Sequence, residues 1–201
     1  MAAHAIELPG ATVTLDPAWM PAGAASALFD ALMTGVPWER HRIRVYGREI
    51  DSPRLSCWMG DPHAVYTYSG TRFVPHPWPD ALGPIRARLE RELAAPFNSV
   101  LANLYRDGDD RLGWHRDGER ELGPAPVIAS VSLGATRRFR FKSDDGGITL
   151  GLDLVHGSLL VMSGQTQRNY RHTLATTARA TGPRINLTFR HVSPRAATPA
   201  P

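Results

Sequence analysis

From Phe97 to Val192 the chain is written in short runs rich in branched and aromatic residues: NSVLANLYR, VIASVSLG, RRFRFK, ITLGLDLVHGSLLVMSG and RINLTFRHV. Gly, Asp and Pro clusters separate them. Such side chains fit a pleated surface and the punctuation supplies turns, so this part of the chain predicts a sandwich, barrel or jelly roll. Before Pro96 the pattern changes. LDPAWMPAGAASALFDALMTG predicts a helix from Ala22 to Met33, with Pro21 at its start, Gly35 beyond its end, and Leu28 and Leu32 on one stripe. WPDALGPIRARLERELAAPF predicts a second, with Leu82, Ile85, Leu89 and Leu93 at helical spacing and Pro84 tolerable only in the first turn. RIRVYGREI alternates like a strand pair around a turn at Gly47. The expected class is α+β: two helices and a small sheet, then an all-β core over 97–192. One domain spans 1–192, and residues 193–201 form a disordered tail.

Cys57 is the single cysteine, which excludes an internal disulfide and suggests a reducing compartment. No stretch approaches the roughly 20 apolar residues that span a bilayer, and MAAHAIELPG lacks a basic region followed by an apolar run. A cytoplasmic monomer without a membrane partner is expected. The formal charge of +4 would suit a polyanion, but Lys142 is the only lysine among 23 basic residues. An arginine bias of this kind can arise from genome composition, so it is weak evidence for nucleic acid binding. Arg40, His41, Arg42, Arg44, Arg48 and Arg54 do cluster, yet such a run by itself reads as a solvated face.

In GWHRDGERE, His115 and Asp117 stand two apart. In extended backbone they would share a face and converge on one point, as a metal requires. Alone the pair reads rather as a polar turn with exposed charges, and a third ligand is needed to change that. His172, in NYRHTLAT, is the candidate third ligand, because the intervening hairpins can return it beside the pair. Two imidazoles and a carboxylate leave open positions on the metal, the arrangement of non-haem Fe(II) oxygenases, although zinc also accepts such a set. His156, where a strand begins, reads as a structural residue.

The last strand adds the decisive pattern. A period of two sends Arg184, Asn186, Thr188 and Arg190 to one face and Ile185, Leu187 and Phe189 to the other. One wet face of an antiparallel strand would account for this. The two arginines can also grip the two carboxylates of a diacid through paired, charge-assisted hydrogen bonds. Asn103 and Tyr105 share a face and can add neutral hydrogen bonds.

Taken in order, N-x-Y (Asn103, Tyr105), H-x-D (His115, Asp117), the distal His172 and R-x-N-x-T-F-R (Arg184 to Arg190) resemble the AlkB family of Fe(II)- and 2-oxoglutarate-dependent dioxygenases. The likeness covers about residues 38 to 192 and is greater to the duplex-DNA repair branch. It implies a double-stranded β-helix core with a nucleotide-recognition lid over 38–75. His115, Asp117 and His172 would hold Fe(II). Arg184, Asn103 and Tyr105 would meet the distal carboxylate of 2-oxoglutarate, with Arg190 and Asn186 at the chelating end. The implied reaction consumes O2 and 2-oxoglutarate, releases succinate and CO2, and frees an N-methyl group as formaldehyde.

The resemblance also implies substrate residues. YTYSG matches the family segment that lines the base pocket, giving Tyr68 for stacking and Tyr66 for an edge contact. Glu119 matches an acidic position that would favour the cationic N1-methyladenine and N3-methylcytosine. RVYGRE resembles the finger pushed into the stack, with Val45 and Tyr46 as wedges and Gly47 as the turn. The sequence departs from that pattern at Tyr46, where an apolar Phe is expected, and at Gly118, where an acidic residue follows H-x-D. Alkylated DNA is the implied partner, with RNA as the nearest alternative. A basic β-sandwich that binds nucleic acid without catalysis, and a cupin-like zinc or manganese enzyme, stay open from the residues alone.

Overall fold

The computed structural model describes residues 3–45, 48–68, 71–179 and 181–193. A hairpin of β1 (His4–Ile6) and β2 (Thr12–Asp16) opens the chain, and α1 (Ala22–Gly35) follows Pro21 as its spacing predicts, running past Met33 through Gly35. β3 (Arg42–Val45) and β4 (Arg48–Asp51) form a ribbon, β5 (Leu55–Gly60) follows, and β6 (Tyr66–Tyr68) and β7 (Thr71–Phe73) form a second ribbon. A 3-10 turn at Asp80–Leu82 leads into α2 (Gly83–Leu93), which takes Pro84 in its first turn, where no intrahelical N–H is lost. The helix stops at Ala94, whose φ of 48° is left-handed, two residues before Pro96.

Beyond it come β8 (Ser99–Tyr105), β9 (Leu112–His115), β10 (Ile128–Gly134), β11 (Arg137–Ser143), β12 (Thr149–Leu154) and β13 (Ser158–Ser163). A single helical turn, α3 (Thr166–Asn169), precedes β14 (Tyr170–Leu174) and β15 (Arg184–Arg190). Two antiparallel sheets result: a major one in the order β1-β2-β13-β10-β15-β8-β5, and a minor one in the order β12-β11-β14-β9. They are the two layers of the expected double-stranded β-helix.

The major sheet is wider than the sequence pattern suggests. β1 and β2 precede the helices, and β5 lies inside the segment 38–75, yet all three join it and cover what would be bare edges at β13 and β8. The signal for β2 is present in TVTLD, whose Val13 and Leu15 are buried while Thr12, Thr14 and Asp16 are not. Bridges from Glu39 to Ser56 and from His76 to Met59 tie the chain before and after β5 back to that strand.

Alternation along the central strands decides where the site falls. Ala102, Leu104, Val131, Leu133, Ile185 and Leu187 face α1 and α2 in one apolar core. On the opposite face, Ile128, Leu160 and Met162 pack against Phe141, Leu154 and Tyr170 of the minor sheet. That inter-sheet space is therefore apolar around Ile128, Leu160 and Met162, and polar where Ser130 and Ser132 of β10 meet Asn186 and Arg184 of β15. The polar face of β15 is not a wet face: Arg184 is 2% exposed and Arg190 4%. Burying guanidiniums is unfavourable without a partner, so their position calls for one. Of the expected tail, Ser193 donates its N–H to the Glu121 carbonyl at 2.8 Å, and residues 194–201 lie outside the described residues.

Candidate active site

His115 and His172 are directly opposite one another on β9 and β14, with ring centroids 4.2 Å apart. Phe139 stacks on His172 at 5.2 Å. The strand ends at His115, so Asp117 comes from irregular chain rather than from the continued pleat. Its main-chain N–H donates to Gln167 Oε1 at 3.0 Å, which fixes a segment with no strand partner. The two carboxylate oxygens of Asp117 lie 4.0 Å from His115 Nε2 and 3.9 Å from His172 Nε2. These gaps are too long for hydrogen bonds, yet the three groups face a common point, with their ligand atoms all within 4.8 Å of one another.

The protonation states suit a cation there. His115 Nδ1 lies 2.8 Å from the Gly113 carbonyl, which only accepts, so Nδ1 carries the proton and Nε2 offers its lone pair. Burial lowers the pKa of His115, and burial with the facing His115 ring pushes His172 down to about 3. Burial works to raise Asp117, but the Arg190 guanidinium and the two facing imidazoles together offset it and hold the carboxyl below its usual range. Two neutral imidazoles and an ionised carboxylate are the donor set of a first-row divalent metal.

One cavity joins this cluster to the inner face of the major sheet, and Asn103, Tyr105, Arg184, Asn186 and Arg190 all line it. Strand register explains how. Asn103 is opposite Asn186, and Tyr105 is opposite Arg184. Ser132 is opposite Asn186 from the other side and accepts from Arg184 Nη2 at 2.9 Å. The Arg184 guanidinium sits 5.3 Å above the Tyr105 ring. Burial lowers its pKa to about 10, and among the described residues no carboxylate pairs with it. Its Nε has no hydrogen-bond partner. A buried cation aimed into a cavity in this way is matched by an anion from outside the chain.

Arg190 has a partner that strand periodicity does not reveal: its Nη2 donates to Asp117 Oδ1 at 2.9 Å. Asn186 is also engaged, donating to Ser130 Oγ at 2.8 Å. Glu119 lines the same cavity. Val45, Tyr66 and Tyr68 are strand residues whose side chains are outside the described set, and Tyr46 and Gly47 lie outside the described residues.

Three residues of the site are not evident from the sequence pattern. Arg54, read there only as part of a basic run, enters the cavity and donates from Nε to Asn103 Oδ1 at 2.6 Å. Gln167 has no motif. Arg137, 3% exposed, lies 5.9 Å from the Tyr105 ring centroid and donates to the carbonyls of Asp107, Asp110 and Ala175. Its only sequence signal is position 137 at the buried end of an alternating strand. His156 is structural, as expected: its Nδ1 accepts from the Gly134 N–H at 2.8 Å.

Comparison with known proteins agrees with this geometry. Residues 12–190 match the 2OG-Fe(II) oxygenase superfamily. The chain is 37% identical over 192 residues to the cattle (Bos taurus) "Alpha-ketoglutarate-dependent dioxygenase alkB homolog 3", covering 90% of this chain and 66% of that protein. It is 40% identical over 161 residues to the mouse (Mus musculus) "DNA oxidative demethylase ALKBH2", covering 76% and 67%. The chain thus spans about two thirds of the length of these relatives. A solved structure, "The structure of OsALKBH1", superposes with a TM-score of 0.63 at 16% identity, covering 92% of this chain and all of that one, which supports the fold. The chain belongs to the 2OG-Fe(II) oxygenase superfamily and, within it, to the AlkB group. Membership implies Fe(II), 2-oxoglutarate and O2, and the His115, Asp117 and His172 arrangement fits iron.

Proposed function

We propose that this protein oxidatively demethylates N-alkylated bases in DNA, N1-methyladenine and N3-methylcytosine among them. The observation that carries the reading is a single cavity lined by a His/Asp/His cluster and by two buried guanidiniums from one strand. His115, Asp117 and His172 hold the metal. Arg184, Tyr105 and Asn103 receive the distal carboxylate of 2-oxoglutarate, and Arg190 and Asn186 serve its chelating end. When bound, iron supplies the oxidation of a substrate C–H bond coupled to decarboxylation of 2-oxoglutarate to succinate and CO2.

One oxygen atom of O2 enters succinate and the other the methyl group. The N–CH2OH product then gives up its hydroxyl proton to solvent and loses formaldehyde, the O–H pair forming the new C=O bond and the C–N electron pair returning to the ring nitrogen. Burial of Asp117 and His172 limits the access of water to the reacting atoms. Glu119 favours a cationic base over the uncharged normal ones. Tyr68 stacks on the extruded base and Tyr66 meets its edge, while Val45, Tyr46 and Gly47 fill the gap it leaves. Arg40, Arg42 and Arg44 serve the phosphates. The name of the mouse relative, a DNA oxidative demethylase, supports this choice of substrate.

The test is turnover of an N1-methyladenine oligonucleotide with Fe(II) and 2-oxoglutarate, reading succinate, formaldehyde and restored adenine together. The expected result is all three in equal amounts, lost in His115→Ala. Succinate without demethylation of single- or double-stranded DNA would overturn the substrate, and turnover on matched RNA alone would transfer it to RNA.

A further inference from the structure

Asp117 depends on a side chain fifty residues away for its position. β9 ends two residues before it, so no ladder hydrogen bond holds its backbone. The acceptor for its N–H is Gln167 Oε1, at 3.0 Å and 4% exposed. Gln167 Nε2 in turn points to Met162 Sδ at 3.5 Å, which sets the amide so that the oxygen faces Asp117.

Gln167 lies in α3, a turn that is itself pinned. Thr166 Oγ1 donates to Ser163 O at 2.6 Å and accepts from the Thr12 N–H at 3.1 Å, and Asn169 Nδ2 donates to Gly10 O at 2.6 Å. A second strut crosses the same gap, from Arg116 Nη1 to Arg168 O at 2.8 Å. From α3 the chain passes directly into β14, which carries His172. The turn that leads to one imidazole therefore also sets the distance to the carboxylate.

We infer that Gln167 is a positioning residue of the metal site: its amide oxygen, through the Asp117 main chain, holds that carboxylate at the spacing set by His115 and His172. The inference rests on the proposed ligand role of Asp117. Removing the acceptor leaves the buried Asp117 N–H unsatisfied; the Arg116 strut and the Arg190 pair hold side chains and do not replace it, so the main chain moves to find water. Partners of this kind, one step removed from the metal, change its affinity by about 10- to 100-fold.

Mn(II) titration of metal-free protein by calorimetry tests this without turnover. Gln167→Met keeps the volume and removes the acceptor; Mn(II) binding weakens by about 10-fold or more. Gln167→Glu keeps an oxygen at the same reach and binds Mn(II) at least nearly as tightly as the parent. Folded Gln167→Met with parental affinity, or Gln167→Glu as weak as Gln167→Met, would overturn the inference. Should Gln167→Met fail to fold, Gln167→Asn, one methylene too short, replaces it under the same criteria. Asp117→Ala keeps the two claims apart: if it binds Mn(II) as the parent does, the ligand assignment fails rather than the role of Gln167.

Discussion

Arg190 donates through Nη2 to Asp117 Oδ1 at 2.9 Å, and both side chains are buried. The guanidinium therefore serves the fold before any ligand arrives. Sequence periodicity alone gives it only a ligand to pair with, so that Arg190→Ala would spare stability. With Asp117 as its partner, the substitution strands a buried carboxylate, and breaking such a pair costs about 3–5 kcal/mol. Urea unfolding of metal-free Arg190→Ala is expected to show that loss. An unchanged midpoint would mean that the pair carries no net stability.

The buried imidazoles set a pH dependence. Burial holds the folded pKa of His172 near 3, far below that of an unfolded imidazole, and lowers His115 as well. Below about pH 6.5 the unfolded chain therefore binds protons that the folded one refuses, so stability falls as pH drops and is level above it. At about pH 5 His172 alone accounts for about 2 kcal/mol. Asp117, whose folded pKa is depressed, contributes stability that is present above the unfolded carboxylate range and lost below it. Unfolding midpoints of metal-free protein should fall between about pH 7.5 and pH 5; equal midpoints would contradict neutral buried histidines.

Arg54 joins the segment 38–75 to the proposed cosubstrate site through its 2.6 Å hydrogen bond to Asn103. Without it the Asn103 amide loses its fixed orientation. Arg54→Ala is expected to raise KM for 2-oxoglutarate about 3- to 10-fold, in line with the net worth of one hydrogen bond to a charged or neutral group. Succinate release at varied 2-oxoglutarate reads this directly, and an unaltered KM would restrict Arg54 to other roles.

The proposed wedge makes a strand-specific prediction. Filling the gap left by an extruded base matters in a stacked duplex and little in a single strand. Tyr46→Ala should lose more kcat/KM on duplex than on single-stranded oligonucleotide. Equal losses would remove Tyr46 from that role.

The parts of the fold and site that follow strand periodicity were legible in the sequence. Alternation along RINLTFR sends Ile185, Leu187 and Phe189 to the helices and Arg184, Asn186 and Arg190 to the cavity, and the structure divides them this way. The same rule pairs Asn103 with Tyr105. What escaped depends on contacts between distant segments. Asp117 converges with His115 although the strand has already ended, because Gln167 holds it from fifty residues away. Arg54 looks like any member of a basic run until β5 pairs with β8 and brings it beside Asn103. β9 and β14 are short and carry polar residues, so neither stands out as a strand in the sequence.

One buried cavity is proposed to hold a divalent metal and a keto-diacid side by side. A crystal structure with Mn(II) and 2-oxoglutarate, with the metal located by anomalous scattering, tests it most directly. The expected result is a single Mn(II) bound by His115, Asp117 and His172, with the diacid's far carboxylate on Arg184 and its keto end against the metal. Mn(II) bound elsewhere, or 2-oxoglutarate absent from the face of Arg184, would contradict the account.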